Sequence, residues 1–165
     1  MEPLAFALRP KTLDEIVGQT HLVGPSGAIR KMVNNGNITS MILFGNPGIG
    51  KTTLANVIVN ELNKTSDTYN ASSDNKEKLK KIIEKDKNEI IIVDEIHRMK
   101  KDIQDYLLPF VERGDVIMIG ITTINPYRAV NPAIRSRASV YKLQPLEKSD
   151  LTKLINKAVS YYKSF

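Results

Sequence analysis

A chain of 165 residues, 41% apolar and 25% charged, is long enough for one compact domain with a sizeable core. It has no cysteine, which excludes disulfides and thiolate metal sites and fits an intracellular, cytoplasmic protein. No apolar run reaches the ~18 residues a membrane span needs, and MEPLAFALRPKTLDE lacks the basic and apolar regions of a secretory signal. The formal net charge of +6 is compatible with a polyanionic partner such as nucleic acid but does not by itself specify one.

Apolar β-branched runs alternate with helical patterns along the chain. Met41–Phe44 reads as a buried strand, followed by a Gly-rich turn and a helix over Lys51–Asn63. Thr68–Ala71 reads as a short strand, and Asn75–Asp86 as a helix with Leu79, Ile82 and Ile83 on one buried stripe. Glu89–Val93 has the continuous apolar run of a central parallel strand. Asp102–Arg113 reads as a helix disturbed near Pro109 and stopped at Gly114. Val116–Thr122 is a further strand, a short helix follows Pro132, and Ser139–Leu143 is the last strand. After a linker at Gln144–Glu147 a new helix begins at Lys148. The alternation predicts an α/β fold, with a parallel sheet between helices on both faces.

The segment GNPGIGKT, Gly45 to Thr52, has the spacing of a phosphate-binding P-loop and lies between a strand and a helix. Glycines at 45, 48 and 50 let backbone N–H groups converge on a triphosphate, with Asn46, Pro47 and Ile49 supplying backbone between them. The following helix aims its N-terminus at the same anion. Lys51 is placed to neutralise the β and γ phosphates of ATP, Thr52 to ligate Mg²⁺, and Thr53 to continue the first turn. A second segment, IIIVDE, ends a buried strand on two acids, at the sheet edge where α/β folds bind ligands. Asp94 would hold the Mg²⁺ shell and Glu95 would polarise the attacking water.

These segments, followed by ITTINP and IRSRASVY and preceded by RPKTLDEIVGQ, resemble the AAA+ ATPases of the clamp-loader and branch-migration group. The matching stretches are Arg9–Gly24, Ser40–Thr53, Asp94–Gly114 and Ile119–Pro126, and they are similar to the replication-associated recombination protein A family, also called the MgsA or Werner-helicase-interacting ATPase family. The resemblance implies a three-layer AAA+ core over residues 1–145, with an N-terminal linker segment at 1–24, and the start of a helical lid at 146–165. Family members continue through that lid into an oligomerisation region, so the resemblance also implies a chain that carries only the ATPase core. It assigns Asn125 the γ-phosphate-sensing role, with Thr123 as the alternative. Arg137 becomes the arginine finger offered to a neighbouring subunit, with Arg135 as competitor. Arg9, Pro10, Ile16 and Val17, with Gly18, become the adenine-side segment, or else plain structure.

Implied partners are DNA, bound without sequence preference, further copies of the chain in a homo-oligomer, and replication proteins. The implied role is at replication forks, in recombination and repair. A branch-migration motor or clamp-loader subunit is the runner-up, and a nucleotide-switched scaffold that hydrolyses little is the alternative of another class. Lys76, Lys78, Lys80, Lys81, Lys85 and Lys87 read as a solvated helix face, whereas Arg98, Lys100 and Lys101 read as a phosphate-tracking group. His97 is expected to order its loop or face a neighbour, and His21 has no evident partner.

Overall fold

A computed structural model describes residues 4–85 and 89–164. The N-terminal segment is a string of short pieces: α1 (Leu4–Ala7), a 3₁₀ turn at Leu13–Glu15, α2 (Thr20–Val23) and α3 (Ala28–Asn34). Then come β1 (Met41–Phe44), α4 (Lys51–Glu61), β2 (Ser66–Asn70), α5 (Lys76–Glu84) and β3 (Ile90–Asp94). A 3₁₀ turn at Ile96–Arg98 leads to α6 (Lys101–Glu112) and β4 (Ile117–Thr122). The chain closes with α7 (Pro126–Ala129), α8 (Pro132–Arg135), β5 (Ser139–Lys142) and α9 (Lys148–Lys163).

The strands form a five-stranded sheet in the order β2-β3-β4-β1-β5, and every neighbouring pair is parallel. Parallel strands covered on both faces need apolar residues at every position, which is why MILF and IIIV show no alternation. The side chains still divide by face. Met41, Leu43, Ile90, Ile92, Ile119 and Ile121 pack with Leu54 and Ile58 of α4 and with Leu13, Leu22 and Ile29. Ile42, Ile91, Val93 and Met118 pack on the other side with Leu79, Ile82, Ile103, Leu107 and Ile134. The sheet is thus the middle of three layers, the expected α/β arrangement. Leu43 has no solvent exposure at the centre of one face. Leu43→Ala is expected to cost about 2–5 kcal/mol, read as a lower denaturant midpoint with an unchanged slope.

Some boundaries differ from the sequence reading. The second strand starts two residues early, because Ser66 and Asp67 pair with Ile90 and Ile91 of β3. Asn75 is the cap of α5 rather than its first residue, its side chain accepting from Lys78 N at 3.0 Å. That helix is described to Glu84, and Asp86 and Lys87 lie outside the described residues. Pro109 does not interrupt α6, which runs through it to Glu112. The helix needs no N–H from Pro109 to hold its last turn, where Arg113 N donates to the Pro109 carbonyl at 3.1 Å. The segment before residue 24 is more than a linker, since Leu13, Leu22 and Val23 are core residues. Gln19, only 6% exposed, holds it to the chain leaving β5. Its side-chain amide donates to the Gln144 carbonyl and accepts from Gln144 N, both at 2.8 Å. His21 has a partner after all, Nε2 donating to the Lys142 carbonyl at 2.7 Å. No residue of α9 is buried, and Leu151, Leu154, Ile155, Val159 and Tyr162 are exposed on it. Among the described residues no helix is long and apolar enough to cross a membrane.

Candidate nucleotide site

The strand order brings the two sequence signals together. β1 ends at the P-loop, β3 ends at Asp94, and β4 lies between β1 and β3. Because all the strands are parallel, the loops at 45–50, 94–98 and 122–125 meet along one carboxyl edge. The P-loop is stitched to that edge by Gly45 N, which donates to the Thr122 carbonyl at 3.3 Å.

Gly48 and Gly50 both have left-handed backbones, with φ of +79° and +95°, a conformation that L side chains rarely adopt. A Cβ at either position would meet nothing within 4 Å, so the loop curls around open space. That space is a cleft of about 290 Å³ lined by Gly48, Gly50, Lys51, Thr52 and Thr53. Ile49 contributes more than backbone. Its side chain packs on the core beside Gly45, whose added Cβ would lie 2.5 Å from Ile49 Cδ1. Asn46 and Pro47 are exposed on the rim.

Lys51 is 7% exposed. Its Nζ donates to the carbonyls of Gly45 and Asn46, both at 2.8 Å. Burial holds its pKa below the ordinary lysine value, and the nearby negative charge of Asp94 partly offsets that effect. A buried cation at a P-loop, with an acid nearby, suits the binding of a nucleotide phosphate. Thr52 is exposed at the first turn of α4, and Asp94 is half-buried at the end of β3. Asp94 Oδ1 accepts from Glu95 N at 2.9 Å. Glu95 itself has a left-handed backbone, with φ of +51°, a strained geometry for a side-chain-bearing residue. The 3₁₀ turn closes behind it, Arg98 N donating to the Glu95 carbonyl at 2.8 Å.

Beyond β4, Thr123 is exposed directly after the strand. Asn125 is exposed two residues further on, and its Oδ1 caps α7 by accepting from Tyr127 N at 3.0 Å. Asn131 caps α8 in the same way, at 2.8 Å from Ala133 N. Both are Asn-Pro pairs opening short helices, a turn signal legible at both sites.

Ile16 and Val17, with Gly18, line a separate cleft of about 350 Å³ between the N-terminal segment and Asp150 and Lys153 of α9. Arg9 and Pro10 are not among its lining residues. Leu143 and Leu146 pack against Gly45 and Gly18 respectively. The Leu143 carbonyl lies 3.0 Å from a Cβ placed on Gly45, and Leu146 Cδ2 lies 3.1 Å from one placed on Gly18.

Arg137 lies at the other end of the sheet, two residues before Ser139, which pairs with Met41 at the start of β1. It is exposed, 3.7 Å from Glu112. Arg135 is engaged within the chain, donating to the Tyr127 carbonyl at 3.1 Å and stacking over the Tyr127 ring. Of the first lysine group, Lys78, Lys80 and Lys85 pair with Asp74, Glu77 and Asp67. Lys76 and Lys80 also sit over the Tyr106 ring. Arg98, Lys100 and Lys101 are exposed and form no ion pair among the described residues.

Comparison with known proteins agrees with this geometry. Residues 8–130 match the family model described as the Holliday junction DNA helicase RuvB P-loop domain. The replication-associated recombination protein A of Bacillus subtilis is 41% identical over 162 residues, covering 96% of this chain and 38% of that protein. Its namesake in Escherichia coli is 36% identical, covering 96% of this chain and 37% of that protein. The chain therefore spans well under half the length of these relatives. The RuvB Holliday junction branch migration motor of Thermotoga maritima superposes with a TM-score of 0.81 at 28% identity, covering 94% of this chain and 55% of that one. The chain belongs to the RuvB-type P-loop domain family of AAA+ proteins, and its sequence kinship within that group is with replication-associated recombination protein A.

Proposed function

We propose that this chain binds Mg²⁺–ATP in the P-loop and hydrolyses it, as the ATPase core of a DNA-associated protein serving replication-fork maintenance, recombination and repair. The carrying observation is the meeting of three strand ends, with buried Lys51 on one side of β4 and Asp94 and Glu95 on the other. Thr52 and Asp94 would hold Mg²⁺, which when bound neutralises charge on the phosphate oxygens. Lys51 would leave its two loop carbonyls for the β and γ phosphates, and Glu95 would take the proton of the attacking water. The γ-phosphate-sensing role fits Asn125, whose Oδ1 caps α7 while its Nδ2 can still donate to a phosphate oxygen, with Thr123 as the alternative.

Arg137 fits a finger for a neighbouring copy. It is separated from its own P-loop by the length of β1, roughly 13 Å for a strand of this size. Arg137→Ala is expected to lower turnover by about 1,000-fold while leaving ATP affinity near that of the wild type. Mixing that variant with Lys51→Ala would restore part of the activity, since each supplies what the other lacks. Activity that does not recover on mixing would argue against a shared site.

Arg98, Lys100 and Lys101 run from the turn after the acids into the start of α6 and form no ion pair among the described residues. They support contact with DNA phosphates, and the setting we propose is cytoplasmic, with chromosomal DNA. The test is ATP turnover with and without single-stranded and forked DNA, across a salt series. DNA should raise turnover of the wild type and not of the triple alanine variant at these positions. An equal response in both proteins would remove these residues from the DNA contact. Likeness to the Thermotoga motor keeps branch migration as a second reading, and displacement of a labelled junction strand separates the two.

A further inference from the structure

We propose that His97 is a positioning residue that clamps the Glu95 turn onto the end of β4 through Thr122. This rests on the hydrolytic reading above and adds a residue to it. Thr122 is 1% exposed and bonds to three loops at the site edge. Its carbonyl accepts from Gly45 N at the start of the P-loop, at 3.3 Å. Its hydroxyl lies 2.8 Å from His97 Nδ1 in the turn behind the acids. The same hydroxyl accepts from Ile124 N at 3.0 Å and faces the Ile124 carbonyl at 3.3 Å, which sets the path of the loop carrying Thr123.

The turn that carries His97 packs directly on β4. A Cβ on Gly120 would lie 2.8 Å from Ile96 Cδ1, so the absence of a side chain at 120 lets the turn approach. Ile96 and His97 therefore fix the two residues after Glu95 against the strand, one by apolar contact and one by a hydrogen bond. Glu95 has a strained left-handed backbone and, among the described residues, its side chain enters no hydrogen bond or ion pair. The anchored turn at Ile96 and His97 is therefore the element that sets its direction. The contact survives either imidazole tautomer. The hydroxyl can donate to a bare Nδ1, or accept from Nδ1–H and donate to the Ile124 carbonyl instead. The Thr122 hydroxyl thus ties the turn behind Glu95 to the loop carrying Thr123, while the carbonyl of the same residue holds the start of the P-loop.

The test is a kinetic double-variant cycle on the whole chain. His97→Ala and Thr122→Val should each lower kcat by about tenfold to 100-fold, with KM for ATP within about threefold of wild type. The double variant should be no slower than the worse single one, because both remove the same bond. His97→Asn retains a donor and an acceptor near Nδ1 and should recover most of the rate, which separates positioning from a folding defect. Wild-type kcat in His97→Ala, additive losses, or a loss confined to KM would overturn the proposal. A wild-type chain without turnover counts against hydrolysis instead, and amide NMR then decides on His97. Thr122→Val should move the Glu95 amide signal in the wild-type background and leave it in place in the His97→Ala background. A Glu95 shift indifferent to His97 would also overturn the proposal.

Discussion

Lys51→Ala should leave the chain folded and weaken Mg²⁺–ATP binding at least about 100-fold. The side chain is buried, and among the described residues it donates to two carbonyls of the loop it closes, at 2.8 Å each. Removing it deletes the buried cation that lines the cleft, while every member of the apolar clusters around α4 is kept. Burial already holds its pKa low, so the ammonium gains by exchanging neutral carbonyls for a polyphosphate. Calorimetric titration with the thermal unfolding midpoint as control reads both halves of the claim. A variant that binds within about threefold of wild type would contradict the role given to Lys51.

Glu95→Gln is expected to keep nucleotide binding and slow hydrolysis by about 100-fold to 10,000-fold. The substitution preserves length and shape, and the hydrogen bond from Glu95 N to Asp94 Oδ1 uses only the backbone of residue 95. Single-turnover phosphate release separates chemistry from binding. The same variant discriminates a motor from a nucleotide-switched scaffold. A motor loses its activity on DNA with hydrolysis, whereas a scaffold whose active state is ATP-bound keeps or gains partner binding. Unchanged phosphate release would mean that another group activates the water.

Much of this site was legible because its chemistry is local in sequence. GNPGIGKT needs eight consecutive residues, and IIIVDE needs only a strand and its last two acids. The β1, α4 and α9 starts and the apolar run of β3 came from the same periodic signals. The features that stayed hidden depend on pairs distant in the chain. Gln19 meets Gln144, His21 meets Lys142, and His97 meets Thr122, and no periodicity announces a hydrogen bond between segments so far apart. Tertiary pairing extended β2 upstream, where Ser66 and Asp67 have poor strand propensity. The short helices at 4–7, 20–23 and 126–129 carry too few residues for a 3.6-residue pattern. At Asn125 two signals coincide: the resemblance gives the position a phosphate-sensing role, and Asn-Pro gives the helix capping made by its Oδ1.

The most direct test of the central claim is a titration of the folded wild-type chain with ATP, in excess Mg²⁺ and again in EDTA. Saturable one-to-one binding that weakens when Mg²⁺ is removed is expected, because Thr52 and Asp94 would then have no ion to hold. A chain with an intact unfolding transition and no heat or shift on ATP addition would contradict a nucleotide site at Gly45–Thr52.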